Sequence, residues 1–153
     1  MNSTTTSPNL DDLILKLTQD IEIKAPPEAT FSALLEELGP SFITPDGKPL
    51  SAKLEAWVGG RWFRDLQDGN GHLWGHVQAI KRPTLLEITG PLFMSFAVIN
   101  NVQYRLKEIN GGTLLAFHHF ALGAIPDEVR KGLQMGWTHI AEHTRRRAEG
   151  LQA

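Results

Sequence analysis

The sequence contains no cysteine, no long apolar run and no marked excess of either charge. Without cysteine the chain can form neither disulfides nor thiolate metal sites, which fits a reducing compartment. No apolar run reaches membrane-spanning length, and the first nine residues hold neither a basic nor an apolar signal region, so we expect a cytoplasmic protein without membrane contact. The formal net charge is -2, so the sequence lacks the excess of basic residues that nucleic-acid binding requires. We therefore expect no nucleic-acid partner.

Signatures of a catalytic or metal centre are also scarce. The segment His139-Ile140-Ala141-Glu142-His143 has the H-x-x-E-H pattern of inverted zinc peptidases, but few residues follow it that could supply a third ligand. Both histidines are predicted on the solvated flank of a helix. No serine lies in a nucleophile-elbow sequence, and no glycine-rich stretch has P-loop spacing. We therefore predict no metal, no cofactor and no catalytic residue, and we favour a protein that is not an enzyme.

One long amphipathic helix is predicted between residues 126 and 151. At 3.6 residues per turn, a single face carries Val129, Leu133, Gly136, Trp137, Ile140, Thr144, Ala148 and Leu151. Pro126 suits the first turn, acidic residues follow it, and three arginines lie near the end, which matches the helix dipole. A helix with one apolar stripe needs a sheet to pack against.

Seven strand-like segments and two shorter helical segments are predicted before the long helix. The first strand spans 13–24, a helix spans 27–38, and a short second helix or a turn is expected within 41–51. Six strands follow, separated by short turns that predict antiparallel neighbours: 52–58, 61–67, 72–81, 84–89, 102–109 and 113–122. If Asn110-Gly111 forms a two-residue turn, Tyr104 lies opposite Phe117, and His119 points inward while His118 points outward.

This order of elements predicts an α+β helix-grip fold. A seven-stranded antiparallel curved sheet would wrap around the long C-terminal helix, with two short helices after the first strand. Short segments from about residue 20 to 150 support it: Ile23-Lys24-Ala25-Pro26-Pro27-Glu28, Val58-Gly59-Gly60-Arg61, Gly75-His76-Val77 with Pro83, and Gly136-Trp137. Their order and spacing resemble the START-like (SRPBCC, Bet v 1-like) superfamily, within it the branch related to the activator of the heat-shock-protein-90 ATPase. We predict a disordered tail over 1–9 and a single START-like domain over 10–151.

A sheet wrapped around one helix encloses more volume than the helix fills, so some inward side chains should line a cavity. The predicted ligand-binding residues are Trp62, Arg64, Trp74, Phe93, Tyr104, Phe117, His119 and Trp137. Arg64 departs from an otherwise apolar lining. It would either pair with an acidic neighbour or bind an anionic head group, because an unpaired buried guanidinium is costly.

The resemblance implies a non-enzymatic carrier or sensor that binds a small, largely hydrophobic molecule between the sheet and the long helix. Two alternatives stay open. The activator branch implies an interaction protein with a chaperone partner, and other relatives of the fold imply a cyclase or dehydratase, in which His119 and Tyr104 would form the acid/base pair. The apolar segment 92–100 is predicted to border the cavity mouth or a two-fold homodimer interface.

Overall fold

Two helices and one sheet form the part of the chain that the computed structural model describes, residues 9–151. The predicted disordered tail therefore lies outside the described residues, except for Asn9. The helices are α1 (Pro27–Leu38) and α2 (Asp127–Ala148), and a short 3-10 helix (Leu10–Leu13) precedes the first strand. The strands are β1 (Ile14–Ile23), β2 (Ala52–Leu54), β3 (Arg61–Asp65), β4 (Gly71–Lys81), β5 (Leu85–Gly90), β6 (Val98–Ile109) and β7 (Gly112–Gly123).

All neighbouring strands are antiparallel, in the order β1-β7-β6-β5-β4-β3-β2. The predicted hairpin register is confirmed, since Tyr104 pairs with Phe117 across β6 and β7. Asn110 and Gly111 connect these strands with φ values of 47° and 81°, the left-handed conformations that a two-residue type I′ turn requires. The seven-stranded curved sheet and the long C-terminal helix of the helix-grip fold are thus confirmed.

Of the two alternatives for 41–51, the second helix is wrong, because α1 is the only helix in the described residues between β1 and β2. The segment is a loop closed by an isolated bridge between Ile43 and Pro49, with Gly47 in a left-handed turn at φ 86°. Pro45 and Pro49 cannot donate backbone hydrogen bonds, so a helix here would be interrupted twice. The loop instead folds over one end of the sheet.

Two strands differ from their predicted bounds by more than two residues. The strand predicted over 52–58 ends at Leu54, and Trp57 and Val58 lie exposed in the turn before β3. β6 begins at Val98, earlier than predicted, so it also includes the end of the apolar segment 92–100.

β4 passes so close to β5 that a β-carbon on Gly75 would lie 2.7 Å from the Thr89 carbonyl oxygen, which only glycine permits.

Four buried residues of α2 belong to the central part of the predicted apolar stripe, namely Leu133, Trp137, Ile140 and Thr144, and Ala141 beside them is buried as well. Polar contacts fix how the helix lies on its neighbours. Gln19 of β1 donates from Nε2 to the Thr138 hydroxyl at 2.7 Å, and Arg147 pairs with Glu37 of α1 at 2.7 Å. Neither helix in the described part of the chain is long and apolar enough to cross a membrane.

Candidate ligand-binding cavity

A cavity of about 480 Å³ lies between α2, the loop after α1 and the β3–β4 end of the sheet. Its volume is within the usual range of small-molecule sites. The side chains and glycines around it are mostly apolar or aromatic: Phe42, Ile43, Thr44, Pro45, Leu50, Arg64, Leu66, Gly71, His72, Trp74, Phe93, Val129, Gly132, Leu133, Gly136, Trp137, His139 and Ile140. The sheet, the helix and the 41–51 loop therefore all contribute to one site.

Two glycines of α2 create part of this space. Gly132 and Gly136 lie one helical turn apart and both line the cavity. A β-carbon at either position would meet no heavy atom of the described residues within 4 Å, so close helix packing does not explain the glycines. Each glycine in a helix interior destabilises it by roughly 1 kcal/mol relative to alanine. The helix thus carries two unfavourable residues where they leave room in the cavity.

The inner wall of the cavity is an aromatic cluster. Trp74 contacts Phe42 edge-on at 5.5 Å between ring centroids and Phe93 at 5.2 Å, and Phe93 lies 5.9 Å from Trp137 of the helix. Trp62 supports these rings from behind. It is fully buried and donates its indole N–H to the Leu38 carbonyl oxygen at 2.7 Å, which joins β3 to the end of α1. Interlocked rings of this kind give the cavity a fixed shape.

Arg64 brings a charge to this apolar wall. It has the same strand parity as Trp62, and its cross-strand neighbours are Ala52 on β2 and His72 on β4. Its Nε atom is buried without a hydrogen-bond partner among the described residues. The pairing with an acidic neighbour that the sequence left open is not formed within residues 9–151, where the adjacent Asp65 binds Lys53 at 2.7 Å instead.

His139 also lines the cavity; it lies on the flank of the apolar stripe, as predicted, but is half-buried there and not fully solvated. Its Nε2 atom is buried and has no hydrogen-bond partner among the described residues. Burial lowers its pKa, the nearby His143 ring lowers it further, and Glu37 acts in the opposite direction. His139 is therefore a mainly neutral imidazole at pH 7.

His119 lies deeper, and both of its ring nitrogens form hydrogen bonds inside the protein. It is 0% exposed; its Nδ1 accepts the Trp137 indole N–H at 3.0 Å, and its Nε2 lies 2.6 Å from Asn100 Oδ1. Since Nδ1 is an acceptor, the ring proton is on Nε2 and is donated to Asn100. Asn100 in turn donates to the Gly90 and Pro91 carbonyl oxygens at 3.1 and 3.2 Å. This chain of bonds holds Trp137 and the start of the 92–100 segment in place.

The structure brings four of the eight predicted site residues to the cavity: Arg64, Trp74, Phe93 and Trp137. The other four, Trp62, Tyr104, Phe117 and His119, are buried in the wall behind it. Burial raises the pKa of the Tyr104 phenol, whose ring packs 4.9 Å from Phe117. The predicted acid/base pair therefore does not face the cavity, and whether any of the eight binds a ligand stays a prediction.

Sequence reasoning missed several lining residues, chiefly Gly132, His139 and the loop residues Phe42 to Pro45. The two glycines one turn apart on a helix face were a usable signal. In the apolar segment 92–100, Leu92 and Met94 are buried and Phe93 lines the cavity. The segment therefore borders the cavity, which was one of the two positions predicted for it. Phe96 and Ile99 are partly or largely exposed, and the homodimer interface stays a prediction.

No model of a known protein family matches the sequence, and no curated protein matches it either. Solved structures do match its fold. Ara h 8.0201 is 16% identical with a TM-score of 0.63, over 88% of this chain and 97% of that one. An uncharacterised protein from Rhizobium leguminosarum is 17% identical with a TM-score of 0.66, over 89% of this chain and 95% of that one. CalU16 from Micromonospora echinospora is 21% identical with a TM-score of 0.59, over 92% and 76%.

These similarities bear on the fold alone, because the sequence identities are low. The narrower resemblance to the activator branch stays a prediction. At the level of the fold, the neighbours and the observed topology agree with the resemblance read from the sequence. The chain has a helix-grip fold, which it shares with these solved structures.

Proposed function

We propose that this protein binds a small, largely hydrophobic molecule in the cavity between α2 and the sheet, as a non-enzymatic carrier or sensor. The observation that carries the proposal is a cavity of about 480 Å³ whose wall is built from aromatic and aliphatic side chains and widened by two helix glycines. A core that only had to be stable would fill this volume, because empty apolar space removes packing contacts. A hydrophobic ligand would restore those contacts.

The acid/base pair predicted from the sequence does not face the cavity, which disfavours catalysis by that pair. His119 uses both ring nitrogens for internal hydrogen bonds, and Tyr104 is buried away from the cavity. A cyclase or dehydratase would need an acid and a base within hydrogen-bond reach of the substrate. The interaction role with a chaperone partner also stays a prediction, since no particular feature of the described residues favours it.

Filling the cavity from the helix should abolish ligand uptake without unfolding the protein. In Gly136→Leu the new side chain starts in open space and projects into the cavity, while leucine is a better helix former than glycine. We expect the variant to be at least as stable as the parent protein and to lose most binding of the neutral dye N-phenylnaphthylamine. Dye fluorescence titration measures the uptake, and thermal unfolding measures the stability.

Met135→Leu is the matched control, because it places the same side chain on the adjacent, exposed position of α2. It should bind the dye like the parent protein. Gly136→Ala should stabilise the protein by about 0.5–1 kcal/mol and reduce uptake only partly. If Gly136→Leu bound the dye as strongly as Met135→Leu, the dye would occupy another site and the proposed function would be contradicted.

A further inference from the structure

The titratable side chains that line the cavity are all basic. They are Arg64, His72 and His139, and no aspartate or glutamate lies among the lining residues of the described chain. Carboxylates near the cavity have other partners. Asp65 binds Lys53 at 2.7 Å, and Glu37 binds Arg147 at 2.7 Å. The cavity therefore holds a positive charge that the described part of the protein does not neutralise.

Arg64 approaches from the sheet and is placed like a ligand-binding residue. Its neighbour in the same strand, Arg61, lies on the outer face, where it forms a bidentate pair with Glu55 at 2.7 and 3.0 Å. Arg64 lies on the inner face between Ala52 and His72, and its buried Nε–H has no acceptor in residues 9–151. A desolvated guanidinium N–H without an acceptor is unfavourable, so a bound acceptor would relieve this cost.

His139 approaches from the opposite wall. It lies on α2, and its buried Nε2 likewise has no hydrogen-bond partner among the described residues. The ring of His143 packs beside it, with 4.2 Å between the ring centroids. In the described part of the chain only three buried side-chain polar atoms lack a partner, and two of them belong to residues of this cavity. Unsatisfied buried polar groups are rare in folded proteins. Their occurrence in residues from both walls of one cavity therefore points to a ligand with a polar end.

We infer that the ligand is a hydrophobic monocarboxylic acid, whose carboxylate is bound by Arg64 and His139 and whose apolar body lies against the aromatic wall. The inference rests on the proposed function and specifies the ligand class. A planar carboxylate matches the fork of donors on a guanidinium, and a neutral imidazole can donate one further hydrogen bond. A single negative charge balances Arg64, the one permanent cation among the described lining residues. A phosphate monoester would bring nearly two charges to the same site.

A pair of nearly isosteric ligands tests this inference. Naphthylacetate carries a carboxylate and naphthylacetamide carries a neutral amide on the same apolar body. Displacement of N-phenylnaphthylamine should show that the parent protein binds the acid about tenfold to a hundredfold more tightly than the amide, the range expected for charge-assisted hydrogen bonds. Arg64→Met should remove this preference and leave the affinity for the amide within about threefold.

Arg61→Met is the matched control, because it removes the same charge from the outer face of the same strand, and it should keep the preference for the acid. A second variant, His139→Leu, should reduce the preference by a smaller factor and does not depend on the stability of Arg64→Met. Equal affinity for acid and amide in the parent protein would overturn the inference, as would an undiminished preference in Arg64→Met. If N-phenylnaphthylamine itself did not bind, the proposed function would fail first.

Discussion

Replacing Trp137 with alanine is expected to lower the free energy of unfolding by about 3–5 kcal/mol, the range for removing a large aromatic side chain from a core. Trp137 lines the cavity, yet only 2% of it is exposed. Its ring packs against Phe117 at 4.9 Å, and its indole N–H is donated to His119 Nδ1 at 3.0 Å. Alanine would remove these contacts and leave a buried acceptor unsatisfied.

Urea unfolding with linear extrapolation measures this loss. Trp137→Phe separates its two parts, because phenylalanine keeps an aromatic ring and lacks the N–H. We expect Trp137→Phe to lose about 1–3 kcal/mol, mainly from the unpaired His119 nitrogen. A loss below about 1.5 kcal/mol in Trp137→Ala would mean that the ring packs loosely at the edge of the cavity. The aromatic cluster would then not give the cavity a fixed shape.

Local patterns predicted the elements of this fold well. Alternating apolar residues placed the strands, and the Asn110-Gly111 turn set the register of the last hairpin, since a type I′ turn leaves only one pairing that joins apolar faces. The loop over 41–51 could not be predicted in the same way. Its shape depends on the bridge between Ile43 and Pro49 and on its packing over the end of the sheet. The hydrophobic periodicity of the sequence indicates neither of these contacts.

The cavity was only half predictable, for a geometric reason. Strand parity tells which face a side chain points to, but not how far along the helix it lies or whether the helix already covers it. Tyr104 and Phe117 point inward as predicted, but Phe117 packs directly on Trp137, so this end of the sheet is filled. Arg64 and Trp74 point inward at the end where the glycines of α2 leave the space open.

The position of His139 shows the same limit for a helix. A period of 3.6 residues places it on the border of the apolar stripe, one residue before the buried Ile140. Whether a border residue faces water or a cavity depends on how the helix is rotated about its axis. That rotation is set by distant contacts, such as those from Gln19 to Thr138 and from Arg147 to Glu37.

The free energy of unfolding is expected to fall by roughly 3 kcal/mol as the pH decreases from about 6.5 to about 4, because of the protonation of His119 alone. Burial, with a smaller effect of His118, lowers the pKa of His119 from its ordinary value of 6.5 to about 4. In this pH window the unfolded chain binds a proton on His119 and the folded chain does not, so protons favour unfolding. A proton on Nδ1 would also face the Trp137 N–H and break that hydrogen bond.

Urea unfolding at several pH values from 7 to 4 measures the dependence, and an NMR titration of the His119 ring should show its midpoint near 4. His119→Gln should be less stable than the parent protein at pH 7 but lose distinctly less stability on acidification, because the titrating group is gone. His118→Gln changes the adjacent side chain on the outer face and should keep most of the steep dependence. Parallel pH profiles for His119→Gln and the parent protein would show that the buried imidazole does not control acid unfolding.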